Sequence, residues 1–355
     1  MHKTMHRIVV KIGSHVLCEK DGALNEAVLA DLVGQLAALR ELGIEVLLVS
    51  SGAVAAGQGV ALNREPTDPV TRRQVLSAAG QVRLMQRYQA LFRTHGLDVA
   101  QVLACKSDFQ TRAHYLNMRQ CIEGLLQAGL VPVINENDVV SITELMFTDN
   151  DELAGLVAGM VDADLLCLLS SVDGVLDAQG RTITHWDEAQ HAAEDVVRRP
   201  RDSMGRGGMH GKIATARRAA SLGTNVVIAH GQREGVLASV LSGEPVGTRF
   251  EAQKPASPVR RWVASAQGHA AGAVHVNQGA ADALQDPDRL ASLLPVGIER
   301  LEGDFEAGDV IRIVGPDGAA LGCGRAQYGR ADAEPVLGQQ GHKPLVHYDY
   351  LYLGR

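Results

Sequence analysis

The 355-residue sequence has few cysteines, no long apolar run and no surplus of basic residues, and each shortage closes off a class of protein. Its five cysteines, Cys18, Cys105, Cys121, Cys167 and Cys323, are odd in number and widely spaced, with no CxxC pair or Cys/His cluster. That pattern predicts buried thiols rather than a disulfide framework or a zinc site. No stretch approaches the ~20 apolar residues needed to cross a bilayer. The amino-terminal MHKTMHR also lacks the apolar core of a signal peptide, so a cytoplasmic location is expected. With 34 Lys and Arg against 41 Asp and Glu, the net charge of −7 speaks against nucleic-acid binding by bulk electrostatics, although it leaves room for a local basic patch. Internal repeats and low-complexity segments are missing too. What remains is a chain 46% hydrophobic and 21% charged, with the composition of a globular protein and enough length for two domains.

Helices and strands alternate along most of it. Ile8, Val9 and Val10 form a short apolar strand that runs into Lys11, Ile12 and Gly13. Leu29, Leu32, Val33, Leu36, Leu39 and Leu42 recur at helical spacing, with Gly43 placed as a C-cap. The nearly continuous apolar run 44–49 predicts a parallel strand buried on both faces, ending at Ser50, Ser51, Gly52 and Ala53. Further helices are predicted over 71–94, 115–127, 150–160, 210–222 and 234–241, with strands over 99–104, 130–134, 164–169 and 225–229. A hairpin is expected around 141–148, and a hairpin plus a short helix over 174–205. This βαβ rhythm predicts an α/β domain over 1–255, with an open, mostly parallel sheet sandwiched by helices. At KPASP, 254–258, the composition becomes that of a linker, and glycine-punctuated segments at 273–276, 310–314 and 345–352 predict a small, mainly β domain over 256–355.

Polar clusters follow several of the predicted strands, and in an open α/β sheet such strand ends share one edge. Lys11 and Gly13 combine a point charge with a backbone that can turn closely past a phosphate. Ser51, Gly52 and the small residues up to Gly57 suit either anion binding or close packing of a helix. Asn135, Glu136, Asn137 and Asp138 are costly to keep at a strand end unless they bind something, and their chemistry suits the ammonium and amide groups of an amino acid. Asp149 can be a plain N-cap, but the run Asp149, Asn150, Asp151 and Glu152 exceeds what a cap needs. Metal, substrate amine and orientation of nearby lysines are the competing roles. Ser170 and Ser171 open a turn, and Gly205 to Lys212 is a glycine run that delivers a lysine to a helix start, without the Ser or Thr that follows a P-loop lysine.

Taken in order, VVKIGS at 9–14, VSSGAVAAG at 49–57, PVINENDVV at 132–140, DND at 149–151 and GGMHGK at 207–212 resemble the amino acid kinase family. RRW at 260–262, SLLPVGI at 292–298 and GDFEAGDVIRI at 303–313 resemble the PUA domain fused to some of its members. The NEND and DND pair points to the branch that transfers the γ-phosphoryl group of MgATP to the side-chain carboxylate of L-glutamate, the first step towards proline. The resemblance implies that Lys11 and Lys212 act on the phosphoryl group with Asp151 orienting them, and that Ser51, Gly52, Asn135, Asp138, Asp149 and Asn150 hold glutamate. Nucleotide would lie against Lys11, Gly13, Ser170, Ser171, Arg206, Gly207, Gly208, Met209, His210, Gly211 and Lys212, with Mg²⁺ carried mainly by ATP. Ser171, Leu176, Arg206 and Gly211 depart from the family pattern, all on the nucleotide side. The family also implies a dimer or tetramer and feedback by proline. Another small carboxylate or carbamate kinase, or an RNA-binding regulatory homologue, are the alternatives. Residues 256–355 carry nine Lys or Arg against twelve Asp or Glu, which predicts weak RNA binding at most.

Overall fold

The computed structural model describes the whole chain except residues 1–4, 20–22, 59, 61–65, 110, 141–148, 189, 191–207, 254, 267–269, 287–289 and 354–355. By its internal contacts the chain divides into two units, Met1–Lys106 with Met118–Pro255, and Ser107–Asn117 with Ala256–Arg355.

The first unit is built on seven strands: β1 (Arg7–Ile12), β2 (Glu45–Ser50), β3 (Val99–Ala104), β4 (Val131–Glu136), β5 (Leu165–Ser170), β6 (Asn225–His230) and β7 (Thr248–Phe250). They lie in the order β3-β4-β2-β1-β5-β6-β7, all parallel except β7, which runs antiparallel to β6. This is the open α/β sheet that the sequence predicts. β1 sits at its centre, and Ile8, Val9, Val10 and Ile12 are fully buried because helices cover both faces of a parallel sheet. β3, at the edge, is half exposed.

The helices are α1 (Ser14–Leu17), α2 (Glu26–Glu41), α3 (Ala53–Gln58), α4 (Pro69–Arg93), α5 (Arg112–Gln127), α6 (Asn150–Met160), α7 (Met209–Ser221) and α8 (Val236–Ser242). α4 starts two residues before the expected Thr71. Asp68 caps it, accepting from the Thr71 backbone N–H at 2.8 Å and the Thr71 hydroxyl at 2.7 Å, and Pro69 fits the first turn, where its missing N–H costs nothing. α3 and α4 meet glycine to glycine. A Cβ on Gly57 would lie 2.0 Å from the Leu76 carbonyl oxygen, and one on Gly80 would lie 1.8 Å from that of Ala53. The small residues of 51–57 thus serve close helix packing, one of their two expected roles.

β4 extends two residues further than expected and takes in Asn135 and Glu136, so the polar cluster begins inside the strand. The turn around Asp177–Arg181 and the Leu176–Thr182 bridge form a small hairpin, and His185 bridges to Arg249 on β7 at the sheet edge. The expected short helix of that segment and the expected hairpin at 141–148 fall largely or wholly outside the described residues.

The second unit holds a five-stranded sheet of β8 (Gly272–Val276), β9 (Ile298–Gly303), β10 (Val310–Val314), β11 (Ala320–Arg325) and β12 (Leu351–Leu353), in the order β12-β11-β10-β8-β9. Val274, Ile298, Phe305, Ile311, Ile313, Leu345 and Val346 fill its core. Three helices accompany the sheet where the sequence predicts only strands and turns: α9 (Pro258–Ser265), α10 (Gln278–Gln285) and α11 (Arg330–Ala333). Two of them are set by caps. Ser257 accepts from the Arg260 N–H, and Asn277 from the Ala280 N–H. The expected strand over 345–352 shrinks to β12, because a short 3-10 turn at Tyr348–Tyr350 takes its middle.

Candidate active site

The parallel register brings four strand ends level. Ile12 stands beside Ser50 on one side and Leu169 on the other, and Val49 pairs with Ile134. Lys11, Ser51, Asn135 and Ser170 therefore share the carboxyl edge of the sheet.

At the centre of that edge Asp151, in the first turn of α6 and 0% exposed, lies between two lysines. Lys11 Nζ of β1 is 2.6 Å from its Oδ1, and Lys212 Nζ of α7 is 2.7 Å from its Oδ2. Gly13 leaves room for this arrangement, since a Cβ there would lie 3.3 Å from Lys11 Nζ. Burial alone would raise the Asp151 carboxyl, but the two ammonium groups override it and hold the acid well below the usual carboxylate range. Burial likewise works against the charge on Lys212, and the Asp151 carboxylate reverses it, raising its pKa. Two buried cations share one anion, so the Lys11–Asp151–Lys212 triad itself carries a net charge of +1, a preorganised charge that suits an incoming phosphate.

Asp149 is the N-cap of α6, and its Oδ1 accepts from the N–H groups of Asp151 and Glu152 at 3.0 Å each. Its Oδ2 is buried without a hydrogen-bond partner among the described residues. It lies 3.4 Å from the place a Cβ on residue 211 would occupy, so Gly211 leaves space beside it. Burial first, and then the negative charge of Asp151, push the Asp149 carboxyl up to about 6, with Lys11 the leading opposing influence.

A relay of neutral groups runs from here to β4. Asn150 Nδ2 lies 3.0 Å from Ser51 Oγ, 3.1 Å from the Ser50 carbonyl and 2.9 Å from Asn135 Oδ1, sharing its two hydrogens among three acceptors. Asn135 Nδ2 donates in turn to Gln81 Oε1 at 3.0 Å. Ser50 gives its proton to the Ser51 carbonyl, so the fully buried Tyr88 hydroxyl, 2.7 Å away, donates to Ser50. Beside Ser51, Gly52 has φ +103°, a backbone conformation only glycine takes without strain. Asp138 is held by α4, with Arg73 Nη2 on Oδ1 and Ser77 Oγ on Oδ2, both at 2.8 Å.

Lys11, Ser51, Gly52, Asn135, Asp149, Asn150, Asp151 and Lys212 thus form one continuous constellation, and Asp138 adjoins it through α4. Ser170 ends β5 half-exposed, Ser171 is exposed, and Gly208, Met209, His210 and Gly211 form the cap and first turn of α7. Arg206 and Gly207 lie outside the described residues. Arg73, Ser77 and Gln81 are absent from the sequence reading. Their spacing of four puts them on one face of α4, but in sequence that spacing looks like any solvated helix face, and only the packing of α4 on α3 turns it towards β4.

Among the described residues no helix is long and apolar enough to cross a membrane. The amino acid kinase family profile matches residues 6–230, and the PUA domain profile matches residues 272–347. A glutamate 5-kinase of Chlorobaculum tepidum is 47% identical, over 99% of this chain and 98% of that one. Glutamate 5-kinases of Bacteroides thetaiotaomicron and Thermotoga maritima are 42% and 36% identical, over 99% and 98% of this chain and 100% and 99% of theirs. Among solved structures, N-acetylglutamate synthase from Neisseria gonorrhoeae, complexed with coenzyme A and N-acetyl-glutamate, superposes with a TM-score of 0.50 at 20% identity. The match covers 71% of this chain and 61% of that one, and at this identity it speaks to the fold alone.

Proposed function

Because the chain belongs to the glutamate 5-kinases of the amino acid kinase family, we propose that its lysine–aspartate–lysine cluster transfers the γ-phosphoryl group of ATP to the side-chain carboxylate of L-glutamate. A carboxylate oxygen forms the new bond to phosphorus, the bond to the β-phosphate oxygen breaks, and ADP leaves beside glutamyl 5-phosphate. No general base is needed, since a carboxylic acid with a pKa near ~4.3 is already ionised at neutral pH. The difficulty is bringing an anion to a polyanion. Lys11 and Lys212 answer it, their ammonium groups stabilising the charge that spreads over the transferred oxygens. The observation that carries this reading is Asp151, fully buried and within 2.7 Å of both lysines. It touches neither substrate in this account and serves to keep both ammonium groups charged and aimed.

Glutamate would lie along the relay, with Ser51, Gly52, Asn135, Asp138 and Asn150 around it and the unpartnered Oδ2 of Asp149 receiving its ammonium. Nucleotide would lie over the ends of β1 and β5 and the start of α7, against Gly13, Ser170, Ser171 and residues 206–212. Mg²⁺ accompanies ATP in this chemistry. Among the described residues no group of three or more His, Cys, Asp and Glu side chains gathers to hold a metal ion. Asp151 is committed to the two lysines, and Asp149 Oδ1 to the start of α6. This donor set suits a dication coordinated by nucleotide phosphates and water better than a resident metal site.

Incubation with glutamate, ATP and Mg²⁺ in the presence of hydroxylamine tests the reading. γ-Glutamyl hydroxamate is expected. Hydroxamate from another carboxylate but not from glutamate would move the chain to a different kinase, and none from any carboxylate would favour a regulatory role. Sizing by light scattering with and without proline tests the further expectations of a dimer or tetramer and of proline feedback.

A further inference from the structure

Gln81 lies on α4, 7% exposed, and its Nε2 is buried with no hydrogen-bond partner among the described residues. An amide side chain can be turned end for end at little steric cost, so its orientation must come from its partners. Here the backbone settles it. The Glu136 N–H is only a donor and lies 2.9 Å from the amide of Asn135, so the Asn135 atom facing it is Oδ1. The Ser50 carbonyl is only an acceptor and lies 3.1 Å from the amide of Asn150, which makes that atom Nδ2, and it also donates to Asn135 Oδ1. The other end of Asn135 is therefore Nδ2, and the Gln81 atom 3.0 Å from it must be Oε1. The remaining end of Gln81 is an N–H₂ donor, buried and lacking an acceptor among the described residues. Leaving such a donor unmet is costly, and a ligand acceptor would remove the cost.

Resting on the glutamate kinase reading, we propose that Gln81 Nε2 contacts substrate directly and donates a hydrogen bond to the α-carboxylate of bound glutamate. A donor with no acceptor cannot serve the ammonium group, which leaves the two carboxylates. The carboxylate to be phosphorylated must meet Lys11 on β1. Gln81 is joined to β4, and β2 lies between them. At ~4.8 Å per strand, two strand spacings come to about 10 Å, which puts Gln81 at the opposite end of the substrate. Arg73, the nearby cation on the same helix face, is already committed to Asp138. Gln81 thus selects for an amino acid bearing a main-chain carboxylate.

The test compares glutamate with 4-aminobutyrate, which keeps the amine and the distal carboxylate but has no α-carboxylate. Gln81→Glu retains the oxygen that accepts from Asn135 and replaces the donor by a second, anionic oxygen. Gln81→Met removes the polar end at similar volume. The readouts are KM for glutamate and for ATP in hydroxamate formation, and Ki for 4-aminobutyrate as a competitor of glutamate. In Gln81→Glu the KM for glutamate is expected to rise by about ten-fold to a hundred-fold, the scale of one hydrogen bond to a charged group, while the KM for ATP stays within two-fold. The Ki for 4-aminobutyrate is expected to stay level or fall. Gln81→Met should show the same selectivity with a smaller loss. Equal weakening of both ligands in both variants would reduce Gln81 to a structural role, and no change in either would overturn the contact. If the parent protein makes no hydroxamate from glutamate, the functional reading fails instead.

Discussion

Asp149 and Asp151 stand two positions apart at the start of one helix, and their surroundings drive them in opposite directions. Asp151 answers to two ammonium groups, whereas Asp149, two residues before it, answers mainly to its own burial and to the negative charge of Asp151. The consequences for stability have opposite signs. The contribution of Asp149, whose folded pKa is raised, is present below pH 4 and lost as pH rises through about 6. That of Asp151, whose folded pKa is depressed, is present above the ordinary carboxylate range and lost as pH falls through its low folded value. Function should follow Asp149. If its Oδ2 receives the substrate ammonium, the KM for glutamate will rise as pH falls through about 6, with kcat changing much less. In Gly211→Ser a hydroxyl beside Oδ2 favours the charged form, so the rise should move to lower pH. Steady-state kinetics from pH 5 to 8 provide the check, and a KM for glutamate that stays flat over this range in the parent would remove Asp149 from substrate binding.

Among the elements, the close contact between α3 and α4 sets the position of Arg73, Ser77 and Gln81, the face of α4 proposed to meet the substrate. Gly57 and Gly80 let the two helices touch backbone to backbone, and Gly80 is the residue next to Gln81. Gly80→Ala would force the helices apart, because the new methyl would sit against the Ala53 carbonyl of α3, and backbone cannot step aside as a side chain can. The variant should lose thermal stability and show a higher KM for glutamate, with the KM for ATP nearly unchanged. An unaltered KM for glutamate in a folded Gly80→Ala protein would separate the helix contact from the site. The strands and long helices of the first unit were legible in the sequence because buried parallel strands write continuous apolar runs and long helices repeat their period several times. Gly43, at φ +78°, ends α2 as expected. α9 and α10 were not legible, being two turns long, too short for periodicity to register, so that only Ser257 and Asn277 announced them. Likewise Lys11, Asp149, Asp151 and Lys212 stood out as charges at strand and helix ends, whereas Arg73, Ser77 and Gln81 owe their position to tertiary packing.

At the scale of the whole molecule, every residue assigned here to the chemistry precedes Ile213, and the chain from Ala256 onward supplies none. Ser107–Asn117 nonetheless groups with that later stretch. Phe109 and Tyr115 are buried with their ring centres 6.5 Å apart, and the Arg112 guanidinium sits 5.4 Å from the Trp262 ring centre. A protein ending at Pro255 should therefore keep kcat within a few-fold while melting at a lower temperature. Loss of all turnover in a folded truncation would contradict the assignment of chemistry to the first unit. The centre of the account is a cluster that only the complete sheet assembles, from residues 140 and 61 positions apart in sequence. Lys212→Ala probes it with least disturbance, since the remaining Lys11–Asp151 pair is neutral and still bonded. With the thermal midpoint as a control, kcat for hydroxamate formation at saturating glutamate and ATP is predicted to fall at least ~100-fold, the scale of losing one preorganised charge, with a much smaller change in KM for glutamate. A folded Lys212→Ala protein turning over within a few-fold of the parent would contradict the account.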